Sequence, residues 1–217
     1  MNRVKIFPSL ISADLLNLRH VINSLDIHSD GYHLDVMDDH FVPNLTWGAQ
    51  FINAIAHATS KSLFVHLMVE EPRPWLDKLT LTEKDSLTFH FENKIEHVDF
   101  IKRIKEKKIK AAIAINPKTP LEKIWQLLKV VDQVLLMSVD PGFSGQAFLD
   151  SSIERLKSLV ARRDQQQLDF EIVMDGGINQ DNIATLATLG VDQVAVASGI
   201  FAAGDPVKNI EALKKLV

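Results

Sequence analysis

The chain has 217 residues, 46% hydrophobic and 24% charged, with a formal net charge of -4, which predicts a single globular domain over residues 1–217. The acidic balance leaves no basic stripe for nucleic acid, and no apolar run reaches the roughly 18 residues of a membrane span. The absence of cysteine removes disulfides, thiol nucleophiles and thiolate metal sites, and makes a reducing cytoplasm the expected setting.

The first residues, Met1-Asn2-Arg3-Val4-Lys5-Ile6, lead directly into a strand-like run without a signal-peptide apolar region. Strand-like segments then recur at 4–9, 31–36, 62–67, 86–91, 109–115, 133–138, 170–174 and 193–197. Between them apolar residues fall every three or four positions. The clearest such faces are Ile95, Val98, Ile101 and Ile104, then Ile153, Leu156 and Leu159, then Val207, Ile210, Leu213 and Leu216. Thr119-Pro120-Leu121-Glu122 reads as a helix start, and Asp205-Pro206 places proline at a first helical position. The lysine-rich stretch 102–110 reads as a solvated helix face, and Trp47, Trp75 and Trp125 as helix or packing residues. Eight strand-then-helix units with nearly continuous apolar strands predict a parallel sheet covered by helices, closed as a (β/α)8 TIM barrel. A doubly wound open sheet is the competing architecture.

In such a barrel the strand C-termini share one mouth, so residues there are the ones to read for chemistry. The second strand alternates His33, Asp35 and Met37 on one face. The third carries His66, and the seventh ends at Asp175 before Gly176-Gly177. Singly, each has an ordinary structural explanation as a hydrogen-bonded strand residue or a turn-former. Together, His33, Asp35, His66 and Asp175 form a candidate site for one divalent cation. Their nitrogen and oxygen donors suit zinc, iron(II), manganese or cobalt alike. Glycines after the sixth, seventh and eighth strands, at Gly142, Gly145, Gly176, Gly177 and Gly199, point to backbone amides holding phosphate.

Seven ordered motifs carry a resemblance. Pro8-Ser9-Leu10-Ile11-Ser12-Ala13-Asp14, His33-Leu34-Asp35-Val36-Met37-Asp38, His40-Phe41-Val42-Pro43-Asn44 and Val65-His66-Leu67-Met68 occupy the first half of the chain. Asn116-Pro117, Met137-Ser138-Val139-Asp140-Pro141-Gly142-Phe143 and Asp175-Gly176-Gly177-Ile178 follow in the second. Together they resemble the ribulose-phosphate 3-epimerases over essentially the whole chain. The resemblance implies a barrel that interconverts D-ribulose 5-phosphate and D-xylulose 5-phosphate in the pentose phosphate pathway, with a bound divalent metal and a homo-oligomeric assembly. It makes His33, Asp35, His66 and Asp175 the ligands, and Asp35 and Asp175 the acid/base pair. It assigns the phosphorylated ketose to Ser9, His66, Gly142, Phe143, Ser144, Gly145, Gly176, Gly177, Ser198 and Gly199.

The chemistry explains why these residue types are wanted. Epimerisation beside a ketone removes a proton from one face of a carbon and delivers another to the opposite face, which two carboxylates accomplish. A Lewis-acid metal stabilises charge developing on the enediolate oxygens. Met37, Met68 and Met137, at or just past strand ends, are candidates for a dry lid over that intermediate, with core packing the competing role. Three departures from the family pattern stand out: Asp39 and Ser144 replace glycines, and Ser198-Gly199 inverts the usual order. Aspartate tolerates a left-handed backbone better than most residues. The inverted pair resembles the allulose-6-phosphate 3-epimerases and keeps a six-carbon substrate open. Asp35-Val36-Met37-Asp38 lacks the Asp-x-Lys-x-x-Asp pattern of the decarboxylase relatives. A non-catalytic sugar-phosphate-binding barrel is the remote alternative.

Overall fold

A computed structural model describes residues 3–217; the expectation for Met1 and Asn2 lies outside the described residues. Eight parallel strands follow the chain: β1 Lys5–Pro8, β2 Gly31–Met37, β3 Ser62–Met68, β4 Ser86–His90, β5 Lys110–Ile115, β6 Gln133–Met137, β7 Glu171–Asp175 and β8 Gln193–Val196. No strand end departs by more than one residue from its expected position. The helices are α1 Leu18–Leu25, α2 Ala49–Ala58, α3 Trp75–Lys78, α4 His97–Glu106, α5 Ser151–Gln166, α6 Ile183–Thr188, α7 Ser198–Phe201 and α8 Pro206–Lys214.

The strands run β1-β8-β7-β6-β5-β4-β3-β2 around a nearly closed barrel, the (β/α)8 architecture. The remaining seam joins β1 to β2. There the Asp30 N–H donates to the Ile6 carbonyl at 3.2 Å, the Ile6 N–H donates to Asp30 Oδ2 at 2.9 Å, and Ser9 forms one parallel bridge with His33.

Period-two alternation sorts each strand into two faces. Outward residues such as Leu34, Val65, Leu87, Ile113 and Ile172 pack under the helices in the main core. Inward residues fill the barrel itself, where Phe7, Phe64, Ala112, Leu135 and Val173 form a separate cluster. Large and small side chains alternate in this interior. Gly31 is the clearest case, because a Cβ there would lie 2.1 Å from the Phe7 ring. Below this layer the N-terminal mouth is polar: Glu171 accepts from Lys5 Nζ at 2.6 Å, from Gln133 Nε2 at 2.7 Å and from Lys110 Nζ at 3.4 Å. One glutamate thereby ties the starts of β1, β5 and β6 to β7.

Three helical expectations need correction. The segment after Pro120 forms two 3-10 turns, Leu121–Ile124 and Leu127–Lys129, instead of an α-helix. Its buried residues Leu121, Ile124 and Leu127 recur every three positions, which matches three residues per turn. On α4 the buried face is Phe100, Ile101 and Ile104, whereas Val98 is 55% exposed and Ile95 precedes the helix. Leu216 lies beyond α8 and is likewise exposed. Asp205 caps α8 as expected, its side chain accepting from the Val207 N–H with Pro206 at the first turn. The lysine-rich stretch is divided, since Lys102 lies on exposed α4 surface while Lys110 already belongs to β5. All three tryptophans pack: Trp47 stacks on Phe51, Trp75 opens α3 against the core, and Trp125 lies beneath the Arg162 guanidinium.

Candidate active site

Because the strands are parallel, the C-terminal ends of β2, β3 and β7 deliver their last inward side chains to one mouth. The β2–β3 register sets Asp35 beside His66, and the β6–β7 register sets Met137 beside Asp175. His33, Asp35, His66 and Asp175 each offer a donor atom, and the four atoms lie within 4.8 Å of one another. His33 and His66 are fully buried; the Asp175 side chain retains 15% exposure and opens toward the mouth. His33 Nδ1 lies 3.2 Å from Asp35 Oδ2, and His66 Nδ1 lies 3.3 Å from Asp35 Oδ1 and 3.7 Å from Asp175 Oδ2.

Whether this set suits a metal can be judged from the donors themselves. His33 Nε2 is buried with no hydrogen-bond partner, and a buried polar atom without a partner calls for an explanation such as an ion. Two imidazoles and two carboxylates converging from three strands give the mixed nitrogen and oxygen set that divalent transition metals take. The residues fit the group.

The electrostatics separate the two acids. Burial raises the Asp35 carboxyl, but His33 and His66 outweigh it and hold the group well below the usual aspartate range. Burial, reinforced by the Asp35 charge and opposed by His33, pushes Asp175 up to about 7. Burial lowers His66 to about 3. His33 is raised, because Asp35 and Asp175 together overcome its own burial.

A cleft open to solvent adjoins the cluster. Asp35 and Asp175 reach into it beside Ser9, whose hydroxyl donates to Asp35 Oδ2 at 2.6 Å. Met37, Met68 and Met137 line it and are each at most 3% exposed. Met37 and Met68 pack with Val42, and Met137 belongs to the barrel interior, so these residues serve packing and cavity wall at once. Gly142, Phe143, Ser144 and Gly145 form one rim, and Gly176, Gly177 and Ser198 another. Phe143 is 55% exposed at that rim. Gly199 stands behind the cavity wall, where a Cβ would lie 2.6 Å from the Ile178 carbonyl. Gly177 is equally constrained, with a positive φ of 65° and a position for Cβ only 2.4 Å from the Phe148 nitrogen. Asp39 adopts the left-handed backbone at φ 59°, its N–H donating to the Asn44 carbonyl at 2.9 Å, so the loop accommodates the residue.

The structure adds residues that the sequence reading did not select. Thr46 Oγ1 donates to the Asp35 carbonyl at 2.8 Å, and Ser138 Oγ donates to the Asp175 and Gly176 carbonyls at 2.9 and 2.7 Å. These hydroxyls hold the backbone of both acids. Asn44 Nδ2 donates to the Gly142 carbonyl at 2.7 Å and straps the two rim loops together. His90, on β4, places Nε2 2.8 Å from His66 Nε2. Its signal was present in the sequence: His90-Phe91-Glu92 repeats the His-x-acid spacing of His33-Leu34-Asp35.

Fold and cluster together define a (β/α)8 barrel with a candidate divalent-metal centre at the C-terminal mouth. Known proteins narrow this class. The family model for the ribulose-phosphate 3-epimerase family matches residues 5–201. A ribulose-phosphate 3-epimerase of Aquifex aeolicus is 41% identical over 97% of this chain and 95% of its own length. The cytoplasmic isoform of Oryza sativa is 35% identical over 98% and 94%, and the Bacillus subtilis protein 34% over 97% and 98%. The chain belongs to the ribulose-phosphate 3-epimerase family and is an epimerase. Among solved structures, KGPDC from Streptococcus mutans superposes with a TM-score of 0.72 at 12% identity over 99% of this chain and 97% of its own. A thiamine phosphate pyrophosphorylase from Pyrococcus furiosus gives 0.65 at 18% identity over 99% and 96%. At such identities these two speak for the barrel alone.

Proposed function

We propose that the protein interconverts D-ribulose 5-phosphate and D-xylulose 5-phosphate by two-carboxylate proton transfer at C3, as a step of the pentose phosphate pathway. The observation that carries this reading is the gathering of Asp35 and Asp175, from strands far apart in sequence, within 4.8 Å donor range of two imidazoles at one cavity. One carboxylate takes the C3 proton and the other delivers a proton to the opposite face, with the roles exchanged in the reverse direction. Ser9 Oγ, bonded to Asp35 Oδ2, holds the orientation of that carboxylate at the cavity. A divalent cation (zinc, iron(II), manganese or cobalt) held by His33, Asp35, His66 and Asp175 supplies Lewis-acid stabilisation for charge developing on the substrate oxygens. The buried methionines Met37, Met68 and Met137 exclude water from the flat enediolate. Phosphate lies against the backbone amides of the rim at Gly176, Gly177 and Ser198, with Gly199 behind them, which needs no excess of lysine and suits an acidic chain. His66, as a ligand, and residues 142–145 complete the substrate surroundings.

Incubation with D-ribulose 5-phosphate in D2O tests the reading. Deuterium at C3 of both sugars, with xylulose 5-phosphate appearing at a matching rate, is the expected result. Binding without C3 exchange would instead identify a sugar-phosphate-binding barrel. D-Allulose 6-phosphate in a parallel reaction decides the chain length, a question kept open by Ser198 at the rim. Faster turnover of the hexulose would replace the pentulose assignment.

Among the described residues no helix is long and apolar enough to cross a membrane, and a cytoplasmic setting is part of the proposal. A homo-oligomer is the proposed assembly, supported by the exposed Leu15 and Leu16, at 49% and 95%, in the connection between β1 and α1. Sedimentation equilibrium checks it.

A further inference from the structure

His90 and Glu92 lie behind His66, outside the four-donor cluster, and their hydrogen bonds form a directed chain. His66 Nε2 and His90 Nε2 are 2.8 Å apart. The two rings are tilted by only 24°, and their centroids, 5.0 Å apart, are separated by the N···N distance plus about two ring radii. The nitrogens therefore meet edge to edge, as in an N–H···N bond, in which one ring donates and the other accepts. On its far side His90 Nδ1 lies 3.2 Å from Glu92 Oε2.

Glu92 sets the direction. Its other oxygen accepts from the Asn116 N–H at 3.0 Å and from Thr119 Oγ1 at 2.5 Å. Burial would raise the carboxyl, but bonds from His90 and Thr119 and from the Asn116 backbone hold it below the usual glutamate range, so it acts as an acceptor only. Arg155, reaching from α5, donates to the Thr119 and Asn116 carbonyls at 2.7 and 3.0 Å and fixes that loop. Asn93 Oδ1 accepts from the His90 N–H at 3.1 Å, while its Nδ2 donates to the Val69 carbonyl at 2.7 Å, which pins the end of β4 to the end of β3.

We infer that His90 and Glu92 are positioning residues that set the tautomer of His66 and so present its Nδ1 lone pair to the cation. With a cation held by Asp35 and Asp175, the carboxylates facing His66 Nδ1, Glu92 is the one carboxylate left to place a proton on this pair of rings, so the His90 proton lies on Nδ1 and His90 Nε2 is an acceptor. His66 must then carry its proton on Nε2, and Nδ1, the nitrogen facing Asp35 and Asp175, is bare. The opposite assignment would put a proton on His66 Nδ1 and block coordination. This is a carboxylate–histidine orienting pair extended by one imidazole. It rests on the ligand reading of His66, and the experiment separates the two.

Two measurements decide it. In protein labelled with 15N-histidine and loaded with zinc, imidazole NMR is expected to find His90 as the Nδ1–H tautomer and His66 as Nε2–H. Zinc affinity, from competition with a chromophoric chelator, is expected to fall about 10–100-fold in His90→Phe and in Glu92→Gln. His90→Gln keeps a carbonyl acceptor for the His66 N–H and should bind zinc closer to wild type than His90→Phe does. That order distinguishes orientation from simple packing. Thermal melts of the metal-free proteins establish that each variant folds, and Glu92→Gln carries the test should His90→Phe not fold. His90 found as Nε2–H, or unchanged zinc affinity in folded Glu92→Gln, overturns the inference. A wild type that takes up no zinc overturns the ligand reading itself, and with it the role given to His90 and Glu92.

Discussion

Asp35 and Asp175 share a residue type and a cavity, yet their surroundings pull them apart. Asp35 receives the Ser9 hydroxyl and lies close to both imidazoles, whereas Asp175, opening toward the mouth, has the longer 3.7 Å approach to His66 and the Asp35 charge beside it. A pair separated in this way is suited to act as base and acid in one reaction. In the proposed mechanism Asp35→Asn and Asp175→Asn would each remove a proton-transfer group while conserving shape, so each is expected to lower turnover by about 10²–10⁴-fold. Far-UV circular dichroism should remain that of the wild type. Turnover at the wild-type level in Asp175→Asn would show that one carboxylate suffices. The sequence exposed these four donors because strand alternation puts chemistry-bearing residues at countable positions. It concealed Thr46 and Ser138, whose hydroxyls act on backbone carbonyls brought near only by the register of the sheet. His90 was partly visible through its spacing to Glu92, but its partner His66 is 24 residues away in the chain, and only the pairing of β3 with β4 joins them.

Strands and helices differed in how well the sequence specified them. A buried parallel strand is a short apolar run with abrupt ends, and all eight were readable to within one residue. The segment after β5 was harder, because apolar residues three apart fit an α-helical face nearly as well as a 3-10 turn. There the spacing of Leu121, Ile124 and Leu127 favours the tighter winding. At the N-terminal mouth, Glu171 draws together β1, β5 and β6. Burial raises its carboxyl, but Lys5, Gln133 and Lys110 outweigh that and lower it below 4.5. A depressed folded-state value means the carboxylate stabilises the fold above its unfolded value of about 4.3 and loses that contribution as pH falls through the folded value. Urea melts of Glu171→Gln should therefore show a flatter decline below about pH 4.3 than the wild type, with the largest difference near neutrality. Parallel acid limbs in the two proteins would mean that the polar contacts at this mouth contribute little.

For the whole molecule, a cation held by the cluster would make stability a function of metal supply. Any ligand bound by the folded state alone stabilises it by mass action, about 2.7 kcal/mol when free metal is a hundred times its dissociation constant. For a chain of this size that corresponds to a rise in melting temperature on the order of 5–10 °C. Scanning calorimetry before and after chelation, followed by addition of zinc, iron(II), manganese or cobalt, should show the rise lost and then regained together with turnover. Identical melts with and without metal would count against a shared four-donor site.

The β1–β2 junction, where Ser9 bridges His33, closes the barrel with few backbone bonds. Ser9 also holds Asp35, and His33 is one of the candidate ligands. The last stitch of the hoop and the candidate grip on a cation thus share the same few residues. Breathing at this junction would spread the donors apart, and an ion drawn in would rivet it shut. Amide hydrogens around Ser9 and His33 should then exchange more slowly once the protein is loaded, while those of β5 and β6, on the far side of the ring, keep their pace.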